Sequence, residues 1–540
     1  MRVRYRVPER IVAQAGADNV NTLLKEKTKQ IALTESEMCV IRGGYLILDF
    51  GRETAGGLRI LTGMAKDTYE GVRVRIRFGE SLGEACAALV PEGTATNCHS
   101  PRDFICYLPS YSDLSLGQTG FRFVRVDFLD PDPVAVKNIY AREERLAAKP
   151  SGRFVCDDEG VNAVYRTAAE TVTLNVQNGV IWDGIKRDRL VWAGDLYPEI
   201  KALLALYGDM ENIRRSLDFC RDAAPLPQWM CNMPPYSLWW MCMQREVYFA
   251  TGDTGYLSEN AAYLCGLLRR LDECIEPDGT LRFAPGQPRE TMTFLDWSTA
   301  DTPDAYAGTV SLLKLALRAA AELAPALGTD DSASRLYRRL CAAPVPPAVR
   351  KPAAAMQFLA GETDAGTARG RLTAGGAREF STFMAYPLLK ALADAGGEED
   401  ALRLMKDYFG GMLSRGATTF WEDFDVDWLD GSGRIDEFTP EGKKDIHGDF
   451  GRHCYVGFRH SLCHGWAGGA VPFLTETVLG VRFAEPGGHT VSVRPRLCGL
   501  RWAEGTVPAP AGPIRVRAEQ TAAGVKTEIS APSGIKIISD

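Results

Sequence analysis

The chain has 540 residues, too many for one ordinary core at roughly 100–200 residues per domain, and its 45% apolar content supports a folded globular protein. Its formal net charge of −7, with no long Lys/Arg block, speaks against a nucleic-acid surface or a polybasic membrane patch. The expected partners are neutral or small molecules, with no nucleic acid and no membrane; a homodimer stays open.

The opening "MRVRYRVPERIVAQAGADNV" has no apolar stretch followed by a small-residue cleavage site, and no segment supplies about eighteen uninterrupted apolar residues. A cytoplasmic location is the expectation. Fourteen cysteines stand singly, without a C-x-x-C pair. They read as reduced buried thiols, so neither a metal nor another cofactor is expected.

From about 40 to 130, "GGYLILDFG", "GGLRILTG", "GVRVRIRFGESL" and "GFRFVRVDFLD" alternate apolar and polar residues between glycine-containing turns, the pattern of a β-sandwich. After "AREERLAAKPSGRF" the period becomes helical. "DDEGVNAVYRTAAETVTLNV" opens a run of about a dozen helices that reaches about 475, including "LYPEIKALLALYG", "YSLWWMCMQREVYFATGD" and "TVSLLKLALRAAAELAPALG". Past 480, "HTVSVRPRL", "PIRVRAEQT" and "GVKTEISAP" return to alternation. The predicted domains are a β-sandwich over 1–148, a helical domain over 149–475 and a second β-sandwich over 476–540. Helices lacking a fixed 33- to 45-residue repeat fit a closed toroid better than an α-solenoid.

Two stretches concentrate chemistry. "DGIKRDRLVWAGD", residues 183–195, places Asp183, Arg187, Asp188, Arg189 and Asp195 around Trp192, in a loop that feeds the next helix. It reads either as an ion-paired helix start or as the lip of a sugar pocket, where carboxylates and arginines bind hydroxyls and an indole covers the apolar sugar face. "GATTFWEDFDVDW", residues 416–428, sets Glu422 directly after Trp421. A glutamate pressed against tryptophan is expected to have its pKa raised toward the range useful for proton transfer. Cleavage of a glycosidic bond with inversion needs one carboxylic acid and one carboxylate on opposite sides of that bond. Asp188 and Glu422 could supply them from two loops of one helical ring.

In combination these motifs resemble the α-L-rhamnosidase family of inverting glycoside hydrolases, of the six-hairpin glycosidase type. The resemblance spans most of the chain: "LDFGRETAGGLRI" looks like the sandwich that precedes the catalytic domain, "SGRFVCDDEGVNAVYRTA" like its opening helix, "ATTFWEDFD" like its second acidic motif and "SLCHGWAGG" like its late histidine motif. It implies an (α/α)6 catalytic toroid between two β-sandwiches, acting from the chain end on terminal α-L-rhamnose. Carried over by motif, Asp188 is the general acid and Glu422 the general base. Asp183, Arg187, Asp195 and His464 hold the sugar, with Trp192, Trp297 and Trp421 around it. The family's acid is usually a glutamate, so Asp188 is one methylene shorter. The Gly- and charge-rich stretch at about 429–455 reads as an insertion at the pocket rim. His447, His453 and His460 are read as non-ligands. A same-fold glycosidase for another sugar, or a catalytically silent carbohydrate-binding relative, are the alternatives.

Overall fold

The computed structural model describes residues 1–27, 37–65, 71–87, 102–453 and 455–539. Two of the fourteen cysteines, Cys98 and Cys454, lie outside the described residues; the other twelve are free thiols.

The N-terminal region is one antiparallel sheet of six strands: β1 (Arg2–Arg6), β2 (Arg10–Asp18), β3 (Cys39–Ala65), β4 (Val72–Gly79), β5 (Asp103–Leu108) and β6 (Asp113–Arg145). Strands β3 and β6 are 27 and 33 residues long. They bend and pair over several stretches, among them Gly44–Asp49 against Phe123–Phe128 and Leu58–Leu61 against Asn138–Ala141. The bent sheet encloses its own core, including Leu46, Phe50, Ile76, Phe78, Phe121 and Val126. Between β4 and β5 a single turn of helix, α1 (Leu82–Cys86), starts at Ser81, whose side chain accepts from the Glu84 amide.

A short strand, β7 (Arg153–Cys156), leads into the helices. They are α2 (Glu159–Leu174), α3 (Leu196–Tyr207), α4 (Glu211–Asp222), α5 (Pro234–Thr251), α6 (Thr254–Cys274), α7 (Pro303–Leu327), α8 (Ser332–Leu340), α9 (Lys351–Ala360), α10 (Ala365–Thr373), α11 (Ala385–Asp394), α12 (Glu398–Ser414) and α13 (Ala470–Phe473). Asp158 caps α2 through the Val161 amide, and Asp253 caps α6 through the Tyr256 amide, as the acidic starts in the sequence suggest. Helices α3, α5, α7, α9, α11 and α13 are successive neighbours, and α13 returns to α3, so alternate helices close a circuit. Among the described residues no helix is long and apolar enough to cross a membrane.

Helix α2 stops at Leu174. The Asn178-Gly179 turn, with both residues at positive φ, folds the chain into a two-residue hairpin, β8 (Val176–Gln177) and β9 (Val180–Ile181). At the C-terminus β10 (Val481–Phe483), β11 (Thr490–Val493) and β15 (Lys536–Ile538) form one sheet. The other contains β12 (Trp502–Val507), β13 (Ile514–Thr521) and β14 (Gly524–Ser530), and β12 pairs with β7 along Arg153–Cys156. The second β region thus takes a strand from before the first long helix. Its core is continuous with that of the helices, from Phe154 to Ala518.

Candidate active site

Two loops and one late segment meet where the circuit faces the N-terminal sheet. The 183–195 loop is closed by its first aspartate: the Asp183 amide donates to the Leu190 carbonyl at 3.0 Å, and the Leu190 amide returns to Asp183 Oδ1 at 2.9 Å. Inside it, Asp188 and Arg189 both adopt left-handed backbone, with φ of 51° and 55°. That conformation is strained for residues with a Cβ, at roughly 1–3 kcal/mol each. It reverses the chain so that Arg187 turns inward while the Arg189 guanidinium lies 4.6 Å from the Trp182 ring centroid.

The Glu422 segment runs beside the 461–464 segment. The Glu422 amide donates to the Ser461 carbonyl at 2.9 Å, the Ser461 amide donates to Glu422 Oε2 at 3.1 Å, and the His464 amide donates to the Phe420 carbonyl at 3.1 Å. Gly465 then donates to the Asp183 carbonyl at 2.7 Å, tying this ladder to the 183–195 loop.

The side chains this brings together are nearly all buried: Asp183, Arg187, Asp195, Glu199, Glu422 and His464 are each at most 4% exposed. One guanidinium serves two carboxylates: Arg187 Nη1 lies 2.9 Å from Asp188 Oδ2, and Nη2 bonds Glu422 Oε1. Arg187 is held in turn by the Arg459 carbonyl at 3.0 Å and by the Tyr455 ring, 5.3 Å away. His464 Nε2 stands 3.3 Å from Glu422 Oε1 and 3.9 Å from Asp183 Oδ2.

The electrostatics split the carboxyls into two kinds. Burial alone would raise the Glu422 carboxyl, but Arg187 and His464 outweigh it and hold it well below the usual carboxylate range. This reverses the expectation that a neighbouring tryptophan raises it. Burial pushes Asp195 up to about 7 against the pull of His464. It pushes Asp183 and Glu199 well above the usual range, and among the described residues neither Glu199 oxygen has a hydrogen-bond partner. Burial opposes the charge on His464, yet Glu422 and Asp183 raise its pKa. The site thus holds one firmly ionised carboxylate beside carboxyls that favour a proton.

Glu422 lines a cavity of about 190 Å³, together with Asp296, Trp297, Ser381, Arg452, Tyr455 and Trp466. Trp297 lines it, stacked 5.8 Å from His453. Arg452, His453 and Tyr455 come from the 429–455 stretch, which therefore does form part of the rim. Of the other predicted site residues, Asp183, Arg187, Asp188, Trp192, Asp195, Trp421 and His464 are not among the lining residues; Trp192 is half-buried, edge-on to Tyr236. Trp421 is fully enclosed, edge-on to Phe424 and His460. The sequence reading missed Trp466, which donates from Nε1 to the Glu422 carbonyl at 2.9 Å and lies 4.3 Å from the His464 ring. Its position two residues after His464 was the available signal. Tyr455 and Asp296 were also missed, and nothing local in the sequence marks either.

In fold the chain is similar to solved α-L-rhamnosidases. A GH78 family rhamnosidase of Bacillus sp. GL1 superposes over 94% of this chain and 54% of its own, at 21% identity and a TM-score of 0.70. The α-L-rhamnosidase of Streptomyces avermitilis, solved with L-rhamnose, matches 92% of this chain and 48% of its own, at 20% identity and a TM-score of 0.66. This chain therefore spans about half the length of those two proteins. A rhamnosidase from Klebsiella oxytoca, with rhamnose bound, is covered over 96% of its length by 88% of this chain, at 19% identity and a TM-score of 0.64. No family model and no curated protein sequence matches the chain.

Proposed function

We propose that this protein is an exo-acting glycoside hydrolase that removes terminal α-L-rhamnose with inversion, in an (α/α)6 toroid flanked by β-sandwiches over 1–148 and 476–540. The observation that carries this reading is Glu422. Arg187 and His464 hold its charged form against its burial, and it borders a cavity walled by Trp297, Tyr455 and Trp466. An ionised carboxylate beside aromatic walls suits a base that orients water beneath a sugar ring. Asp183, Asp195 and His464 supply hydroxyl partners, and Arg187 fixes the base. Trp421 supports Glu422 from within the core, and Trp192 packs against Tyr236 behind the 183–195 loop. Asp188 takes the acid role if the bound sugar frees it from Arg187. A soluble monomer or homodimer in the cytoplasm is consistent with this reading.

A second reading has its own support. The Asp188–Arg187 ion pair is what a carbohydrate-binding relative that has lost its acid would keep. A screen of the purified protein against aryl glycosides of α-L-rhamnose and of other α-L- and β-D-sugars separates the two. Release from the α-L-rhamnoside alone is expected. Release from another glycoside would change the sugar, and L-rhamnose binding without release from any glycoside would favour the binder.

A further inference from the structure

The N-terminal region reaches the candidate active site through a second buried cluster. Glu80, which follows β4, and Glu84 in α1 are each 1% exposed, and Lys186 and His447 are fully enclosed. The atoms of Glu80, Glu84 and His447 lie within 4.8 Å of one another, close enough to hold a cation. That position already has one: Lys186 Nζ is 3.0 Å from Glu80, 3.2 Å from Glu84 and 3.5 Å from His447 Nε2, and it donates to the Phe458 carbonyl at 2.9 Å and to the His460 carbonyl. A metal ion would have to displace a buried ammonium that is already fully coordinated.

The other side of Glu80 faces the catalytic ladder. It accepts from the Leu462 amide at 2.6 Å and from Ser461 Oγ at 3.2 Å. Ser461 is the residue whose amide donates to Glu422 Oε2 and whose carbonyl accepts from the Glu422 amide. A single residue therefore separates a carboxylate of the N-terminal region from the candidate base.

We propose that Glu80 is a positioning residue for Glu422: it fixes Ser461 and Leu462, and through them the amide that hydrogen bonds the base, with Lys186 as its internal counter-ion. The catalytic consequence rests on the hydrolase reading, whereas the positioning does not. A hydrogen bond to an ionised carboxylate is stronger than a neutral one, so an amide out of line removes support from the charged form of Glu422. The groups facing Glu422 are Arg187, His464, His460 and Asp195, and those facing Glu80 are Lys186, Glu84 and Glu53, with His447 beyond. Burial pushes the Glu80 carboxyl up against the pull of Lys186, whereas Arg102 and Lys186 hold Glu84 down to about 2 in spite of its burial.

The test is amide hydrogen exchange over residues 458–466, together with the pH profile of kcat/KM, in wild type, Glu80→Gln and Ser461→Ala. Ser461→Ala leaves no buried charge without its partner, so it folds even where Glu80→Gln does not. Exchange over 458–466 is expected to quicken about tenfold in Glu80→Gln and less in Ser461→Ala, with the helical amides unchanged. The acid limb of the profile should move to higher pH, which loss of fold alone would not produce. Unchanged exchange over 458–466 in every variant that folds, or an unmoved limb despite faster exchange, overturns the proposal. A wild-type protein that hydrolyses no rhamnoside sinks the hydrolase reading instead, and the limb is then read on L-rhamnose affinity by calorimetry.

Discussion

Lys186 and Arg187 are neighbours in the chain, yet they serve two buried clusters built differently. Around Lys186, the acids Glu80 and Glu84 meet Lys186 and Arg102, and His447 stays neutral, burial pushing its pKa down to about 3. Around Arg187, the acids Asp183, Asp188, Asp195, Glu199 and Glu422 crowd against Arg187 and His464. In the first cluster both acids are ion-paired, Glu80 and Glu84 with Lys186 and Glu84 also with Arg102, although burial still raises Glu80, and such pairing holds elements in register. The second carries carboxyls whose burial is poorly compensated, a cost that a protein keeps where a ligand completes the hydrogen bonds. A hydroxyl-rich sugar supplies both donors and acceptors to protonated and ionised carboxyls alike.

The contrast can be broken most sharply at Glu422. Glu422→Gln is expected to lower kcat on rhamnosides by about 10²–10⁴-fold, on good and poor leaving groups alike, because water must be activated whatever departs. Steady-state kinetics on a nitrophenyl and an alkyl rhamnoside measure this. Asp188→Asn tests whether Arg187 releases its second partner during the reaction. As general acid, Asp188 should matter at least tenfold more for the alkyl than for the nitrophenyl substrate, since only the poor leaving group needs a proton. Equal losses on both would leave Asp188 as a partner of Arg187 and turn the search for the acid to Glu199, Asp423 or Asp425.

Smaller effects probe the shell. Asp183→Ala and Asp195→Ala should each cost about 1–3 kcal/mol in kcat/KM, the price of leaving buried hydroxyl groups of the sugar unpaired. If kcat/KM is unchanged in both, the 183–195 loop is only an ion-paired helix start. The smallest effect is on stability. Asp195 holds its proton up to about 7 in the native state, whereas the unfolded chain releases it near 3.8. Between those values the native state binds the extra proton, so this carboxyl makes stability fall as pH rises from about 4 to 7. Asp195→Asn removes that slope and should raise Tm at pH 8 while changing it little at pH 4, as thermal melts across pH would show. An equal change at both pH values would mean that Asp195 is ionised throughout.

The order of β, helical and β regions was legible because hydrophobic period is a local property, and two period changes mark the boundaries. The pairing of β7 with β12 was not. Four residues, "RFVC", show no usable alternation, and their partner lies some 350 residues on. At the site, the charge concentrated in "DGIKRDRLVWAGD" was visible, and Arg187, Asp183, His464 and Glu422 do come together. The direction of the Glu422 shift was misread because its sequence neighbour Trp421 points into the core. The residues that set it, Arg187 and His464, arrive from distant segments. Glu80 sits in an unremarkable turn, "GESL", and only the tertiary contact with Leu462 gives it meaning.

The central claim is that Glu422 drives hydrolysis of a terminal α-L-rhamnoside with inversion, and proton NMR of the first product formed from nitrophenyl α-L-rhamnopyranoside tests it most directly. The account predicts that wild-type protein yields the β-anomer of L-rhamnose first, before mutarotation, and that Glu422→Gln yields almost none. An α-anomer formed first, or release by wild type no faster than by Glu422→Gln, would contradict it.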